Sequence, residues 1–231
     1  MLGARPNLRE GLICENCGLS NRNRLLLAAI REVNAVDGGS RVAILEQLSP
    51  LFEKLTTTLP YVSGSEYIAS TAAPGSNHKL GAKIVRHESI LGLSYASGAL
   101  DLLSHNDVLE HVFDFRGALR ECRRVLTAGG MLIFTCPFLM YLDGISARAT
   151  QASDGTIIHH FQPEFHGDPI HQEGALTFHH FGWELMEACR KAGFREAQCG
   201  VLYDPFLGFL SSNHPDWSYG AMLPTIFRAH A

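Results

Sequence analysis

An α/β domain built on a doubly wound, mostly parallel sheet is the fold class this sequence predicts, and three observations carry it. An apolar run ending at Ser104, an amphipathic stretch over 115–126 and a second apolar run over 131–135 make a strand–helix–strand unit, with Gly129-Gly130 as the stop after the helix. Two neighbouring strands joined through a helix run parallel, with a right-handed crossover. Shorter apolar runs at 41–45, 61–68 and 83–87, separated by helical or turn-rich stretches, extend the same alternation upstream. In such sheets ligands bind outside the carboxyl ends of the strands, where this sequence carries His105, Asn106 and Asp107 and, on the next strand, Cys136 and Pro137.

Composition narrows the class. A chain of 231 residues, 46% hydrophobic and 18% charged, can hold one large domain or one domain with a small appendage. Lys plus Arg number 19 against 23 Asp plus Glu, and the resulting net charge of −4 gives no support to a protein that tracks phosphate backbones, so a nucleic-acid partner is not expected. No apolar run approaches the roughly 18 residues that span a bilayer, and the N-terminus lacks a basic-then-apolar pattern; a cytoplasmic location without a membrane partner is the expectation. Six Cys are too sparse for a disulfide scaffold, and Cys122, Cys136, Cys189 and Cys199 read as small buried hydrophobes.

Residues 1–36 read as an appendage and 37–231 as the α/β domain. Cys14-Glu15-Asn16-Cys17-Gly18 has the spacing at which two thiolates grip one tetrahedral ion, the glycine permitting the turn. It is half a site: structural zinc on Cys14 and Cys17 requires ligands from elsewhere, and a bare turn with two reduced thiols stands beside it. Arg9, Arg22, Arg24 and Arg31 form a local basic patch, read as a solvated face, with an anion contact as the sharper alternative. A helix over 21–33 follows, with Leu25, Leu26, Ala29, Ile30 and Val33 on one face.

Asp37-Gly38-Gly39 signals a turn before the strand at 41–45, and Pro50 opens a helix to about 59. The run 61–68 is the second strand, with Glu66 and Tyr67 at its end, and 83–87 the third, followed by Glu88-Ser89. Residues 139–175 are long, polar and without periodicity, and contain His159, His160, His166 and His171; loops of this length are commonly functional. A helix over 178–192, with His179 and His180 at its start, a strand at 196–202 and a strand at 222–229 complete the chain. Residues 204–217 read as a further cover or loop.

Asp107, Glu110 and His111 are spaced i, i+3, i+4, which in a helical turn sets two carboxylates and an imidazole on one face, suitable ligands for a divalent metal, with His166 or His160 to complete the set. No G-x-S-x-G, G-x-x-x-x-G-K-[ST] or G-x-G-x-x-G is present, so hydrolase, triphosphatase and nicotinamide dehydrogenase readings lack their motifs.

The run Asn106-Asp107-Val108-Leu109-Glu110-His111-Val112, the Arg-rich helix Leu119-Arg120-Glu121-Cys122-Arg123-Arg124-Val125-Leu126, Gly129-Gly130 and Pro137-Phe138 together resemble the class I S-adenosylmethionine-dependent methyltransferases, in particular the small-molecule branch often called type 11. The resemblance implies a seven-stranded Rossmann-like sheet with an antiparallel last strand, and S-adenosylmethionine as cofactor. It places Glu46 and Gln47 at the methionine part, Glu66 and Tyr67 at the ribose, Glu88 and Ser89 at the adenine, and Asn106 and Asp107 at the strand end beside them. It makes 139–175 a lid, with Phe161 and Phe165 as apolar walls, and His111 and His166 candidates for the catalytic base or for metal ligands. The acceptor implied is the oxygen or nitrogen of a small molecule; oligomeric state is not indicated. One departure is marked. The family's glycine-rich loop after the first strand is replaced by Gln47-Leu48-Ser49-Pro50, which sets a competing reading beside the enzyme: a methyltransferase-like binding or scaffold domain without catalysis.

Overall fold

The computed structural model describes residues 8–33, 39–59, 61–210 and 223–231. The expected turn at Asp37-Gly38, the part of 204–217 beyond Leu210, and the strand start at Met222 lie outside them.

Three of the helices carry side-chain N-caps. Helix α1 (Leu8–Gly11) is a single turn. In α2 (Asn21–Glu32) the Ser20 hydroxyl accepts from the Asn23 amide and Leu25, Leu26, Ala29 and Ile30 are buried, as their spacing requires. Strand β1 (Val42–Ile44) is followed by α3 (Pro50–Thr56), capped by Ser49 with Pro50 in its first turn. Strands β2 (Ser63–Gly64), β3 (Lys83–Arg86) and β4 (Leu100–Asn106) come next, then α4 (Phe115–Val125), whose cap Asp114 accepts from the Gly117 amide. Strand β5 (Leu126–Thr135), α5 (Glu184–Lys191), β6 (Glu196–Val201) and β7 (Thr225–His230) follow.

Among the described residues six strands form one sheet, in the order β6-β7-β5-β4-β1-β2, with β7 antiparallel to both neighbours and the rest parallel where they pair. The third expected strand is attached beyond β2 by one parallel bridge, Glu66 with His87, where the Glu66 amide donates to the Arg86 carbonyl at 2.9 Å. Otherwise β3 pairs with 77–80 as a hairpin. The second strand is shorter than the run 61–68 because the chain leaves β1 after Gly64, and Glu66 turns to that bridge.

Successive residues of a strand face opposite sides, and the burial pattern shows both sides covered. Ala43, Leu103, Leu132 and Phe134 pack on α4 and α5, while Val42, Ile44, Leu102 and Ile133 pack on α2 and α3. Hence the near-continuous apolar runs in β4 and β5. At the end of β4, His105 is fully buried against Phe134 (ring centroids 4.8 Å), with no hydrogen-bond partner for either nitrogen among the described residues.

Residues 139–175 are not an irregular loop. They fold into short antiparallel ribbons: Ile145–Ala147 with His179–Phe181, Ala149–Gln151 with Ile157–His159, and Phe165–His166 with Ala175–Leu176. His179 and His180 therefore lie in a strand and not at a helix start; burial alternates along 179–181, and Gly182 passes so close to the Leu142 carbonyl that a Cβ would stand 1.9 Å from it. The insertion is tied down across the carboxyl end of the sheet. The Phe178 amide donates to the Glu110 carbonyl at 2.7 Å, and His171 Nε2 reaches the Ile68 carbonyl at 3.2 Å.

The N-terminal segment docks on the same end. Arg9, 4% exposed, donates from both Nη atoms to Asp107 at 2.7 Å, and Arg22 donates to both oxygens of Glu10 and to the Asn106 side chain. The basic patch is thus internal at Arg9 and Arg22, contrary to the solvated face expected of it. Among the described residues no helix is long and apolar enough to cross a membrane.

Two outcomes follow from these buried polar groups. Arg9→Met should lower the unfolding free energy by about 2 to 4 kcal/mol, toward the low end of losing one partner of a buried pair because Arg22 stays beside Asp107; urea denaturation measures it. Burial lowers the His105 pKa to about 3, below the usual value near 6.5. The unfolded chain then binds the extra proton between those values, so this group adds nothing above pH 6.5 and destabilises as pH falls through that window. Between pH 7 and pH 5 the wild type should lose about 2 kcal/mol more than His105→Leu; equal losses would mean the ring is protonated in place.

Candidate active site

The carboxyl ends of the parallel strands open into a cavity of about 1670 Å³, walled on the far side by the ribbons of 139–181. At one end stand Glu46 and Glu66; at the other, His111 and His166.

The loop after β1 lacks glycine and is shaped by side chains instead. Glu66 Oε1 accepts from the Gln47 and Leu48 amides, both at 2.7 Å, while the Gln47 amide group bridges to the Ile84 carbonyl and the Arg86 amide at 3.0 and 2.9 Å. Close packing on bare backbone occurs at Gly64, where a Cβ would meet the Phe52 ring at 2.5 Å. Glu46 accepts from Asn106 Nδ2 at 3.0 Å, and burial raises its pKa against the opposing pull of the Ser49, Asn106 and Arg22 neighbours. Burial likewise raises that of Glu66 against its two amide donors.

Tyr67 is half exposed on the cavity wall, with Ser89, Ile90 and Leu91. Glu88 also lines the cavity, with a side chain only 1% exposed that accepts from Arg86 Nε and the Ser94 amide at 2.9 and 2.8 Å. Ser89 Oγ accepts from the Leu91 amide at 3.3 Å.

Asp107 is corrected as a metal ligand. Its φ of +52° takes it out of any helical turn with Glu110 and His111, which belong to a 3₁₀ turn over Leu109–His111. Burial would raise its pKa, yet Arg22 and Arg9, with the Thr135 hydroxyl at 2.8 Å, hold it far below the usual carboxylate range. It is a saturated anchor, not an open donor. Glu110, His111 and His166 do come together: Glu110 Oε1 lies 3.7 Å from His111 Nε2 and 4.0 Å from His166 Nδ1, and the rings meet edge to face at 5.0 Å. His111 Nδ1 donates to the Leu176 carbonyl at 2.9 Å, and burial lowers its pKa, so it is neutral at neutral pH with a lone pair on Nε2. Glu110 is fully buried, and burial, then the Asp107 charge, pushes its pKa well up.

Other expectations are not met. His160 bonds Thr150 on an outer ribbon, and Phe161 and Phe165, each 54% exposed, are not in the cavity lining, where Phe113, Pro137, Tyr141 and Phe178 stand instead. Cys14 and Cys17 form the knuckle turn, with the Gly18 amide on the Cys14 carbonyl at 2.8 Å and Gly18 at φ +69°, and among the described residues no third ligand joins them. Sequence reasoning named Arg9 and Arg22 only as a basic patch, with an anion contact as the alternative, and missed their place, with Asn23, on the cavity wall. Their signal was positional: arginines concentrated before a first strand whose loop had lost its glycines.

Comparison with known proteins agrees with this geometry. Residues 44–134 match the family model of the methyltransferase domain. No curated protein matches the sequence. Among solved structures the chain is similar to an S-adenosylmethionine-dependent methyltransferase from Mesorhizobium loti, with 15% identity, a TM-score of 0.54 and coverage of 91% of this chain and 98% of that one. It is also similar to a chain of the complex between the Haloferax volcanii Trm112 methyltransferase activator and a methyltransferase, with 13% identity, a TM-score of 0.53 and coverage of 91% and 88%. At such identities the likeness is one of fold. Taken with the matched segment, which runs from the end of β1 into β5, and with the sheet order and the antiparallel β7, it shows the fold of the class I S-adenosylmethionine-dependent methyltransferases.

Proposed function

We propose that this chain transfers a methyl group from S-adenosylmethionine to an oxygen or nitrogen of a small-molecule acceptor. The observation that carries it is one cavity of about 1670 Å³ with two chemically distinct ends, large enough for a cofactor and a second molecule together.

The donor set fits the cofactor. Glu46, half-buried beside Asn106, offers a carboxylate for the ammonium of the methionine part. Glu66 keeps Oε2 for ribose hydroxyls while Oε1 holds the loop. Ser89, Ile90 and Leu91 supply a partly apolar wall for the adenine. The cofactor, when bound, supplies a methyl already activated on a sulfonium. What remains for the protein is alignment of the nucleophile and removal of its proton. Both fall to the Glu110–His111–His166 end, where the ribbons shield the cavity from solvent.

The scaffold reading has the side-chain-filled loop after β1 in its favour, and calorimetric titration with S-adenosylmethionine separates the two. Binding supports the enzyme; a flat titration with intact protein supports the scaffold. Glu66→Gln keeps the acceptor for the Gln47 and Leu48 amides but turns the second oxygen into a donor, and should weaken cofactor binding about tenfold, roughly 1.4 kcal/mol. Unchanged affinity removes the ribose assignment. With an acceptor in hand, His111→Ala and His166→Ala should each lower turnover by roughly 100-fold or more with cofactor affinity nearly intact. Full turnover in both would place the acceptor chemistry elsewhere.

A further inference from the structure

We propose that Glu110, His111 and His166 form a divalent-metal site at the acceptor end of the cavity, with a carboxylate oxygen and two imidazole nitrogens as ligands. Metal binding stands on its own geometry; the role given to it below rests on the methyl-transfer reading.

Three observations converge. One ligand atom from each residue lies within 4.8 Å of the other two, whereas the Glu110 pairs, at 3.7 and 4.0 Å, are too long for hydrogen bonds. Ligands about 2.0 to 2.2 Å from a common zinc-like ion stand roughly 3.3 Å apart, so closure needs shifts of about an ångström or less. Second, both Glu110 oxygens are buried without a hydrogen-bond partner among the described residues, which is costly for a carboxyl unless a cation or proton satisfies it. The nearby arginines do not fill the gap, because Arg9 donates to Asp107 and Glu10, and Arg22 to Glu10 and Asn106. Third, the ring orientations are those of metal-binding imidazoles, each of which donates its remote N–H to an oxygen. His111 Nδ1 donates to the Leu176 carbonyl at 2.9 Å and His166 Nε2 to Glu164 Oε1 at 3.1 Å, so the two free lone pairs face Glu110. Glu164 is itself fixed by His180 Nε2 at 3.0 Å.

A set of two nitrogens and one oxygen suits zinc, manganese, iron or cobalt in the divalent state. His111 and His166 line the cavity and Glu110 stands behind them, so the open positions face the space for the acceptor. That arrangement of three protein ligands and an open position is the one used for catalysis. It favours an acceptor with an ionisable hydroxyl. Transfer then breaks the acceptor O–H and the sulfonium S–CH3 bonds and forms an O–CH3 bond; the proton passes to solvent and the sulfur departs as a neutral thioether.

The test is titration of chelator-stripped full chain with cobalt(II), read by its visible absorption, in a Cys14→Ser/Cys17→Ser background that removes the knuckle thiols. One equivalent should bind with a Kd below about 1 µM. His166→Ala and Glu110→Gln should each weaken binding at least about 100-fold, and Glu164→Ala about tenfold. Circular dichroism confirms that each variant is folded; His166, on a surface ribbon, is the change least exposed to misfolding. Absence of cobalt binding by the folded parent, or equal affinity in parent and His166→Ala, overturns the site. Cobalt binding alongside a flat S-adenosylmethionine titration would sink the methyl-transfer reading and leave the metal site standing.

Discussion

Asp107 and its arginines organise the carboxyl end of the sheet. A carboxylate at this depth, in a left-handed backbone conformation with φ +52°, is tolerable only with full compensation, and Arg9, Arg22 and Thr135 provide it. Arg9 and Arg22 come from the segment before β1, so satisfying Asp107 requires that segment to dock. Docking in turn places Arg22 against Asn106 and brings Asn23 to within 2.9 Å of the Asn106 side chain, whose amide also reaches Glu46. The appendage and the sheet are therefore one electrostatic unit, and the floor of the cavity is built from both.

The loop after β1 is shaped by side chains rather than by glycines. Glycine lets a loop approach a ligand closely because no Cβ intervenes. Here the loop residues carry side chains, and the loop is drawn back by Glu66 Oε1 and by both ends of the Gln47 amide. One strand away, at Gly64, Phe52 of α3 packs against the bare backbone. A carboxylate at the end of β2 thus acquires two tasks, holding the loop with one oxygen and facing the cavity with the other.

The fold was legible where burial imposes a period. The apolar runs of β4 and β5 and the stripe Phe115, Ala118, Leu119, Cys122 and Val125 of α4 follow from a sheet covered on both faces, and they were readable for that reason. The ribbons of 139–181 were not, because strands of two or three residues are too short to show a period; His179 and His180 looked like a helix start only because a true helix begins five residues on, at Glu184. The site was legible by residue type and not by partner. Glu110, His111 and His166 were read as candidates, yet Asp107 was grouped with them from a spacing that holds only in a helix, and its φ breaks the helix. Arg9 lies 98 positions from Asp107, a separation to which no local pattern refers.

The charge balance links the two ends of the cavity. Asp107 draws Arg9 and Arg22 to itself, and Glu110, three residues on and fully buried, is left without a hydrogen-bonded cation among the described residues. The fixed negative charge of Asp107 raises the cost of ionising Glu110 further, after burial itself. A carboxyl so placed is either held neutral by a proton or ionised against a positive charge brought from outside. The two imidazoles beside it are oriented with lone pairs inward, which does nothing for a proton already on Glu110 beyond a hydrogen bond that 3.7 and 4.0 Å are too long to make. They do complete a cation's coordination. The interaction that stabilises the Glu46–Asn106 side of the cavity is thus the same one that leaves the Glu110–His111–His166 side electrostatically open.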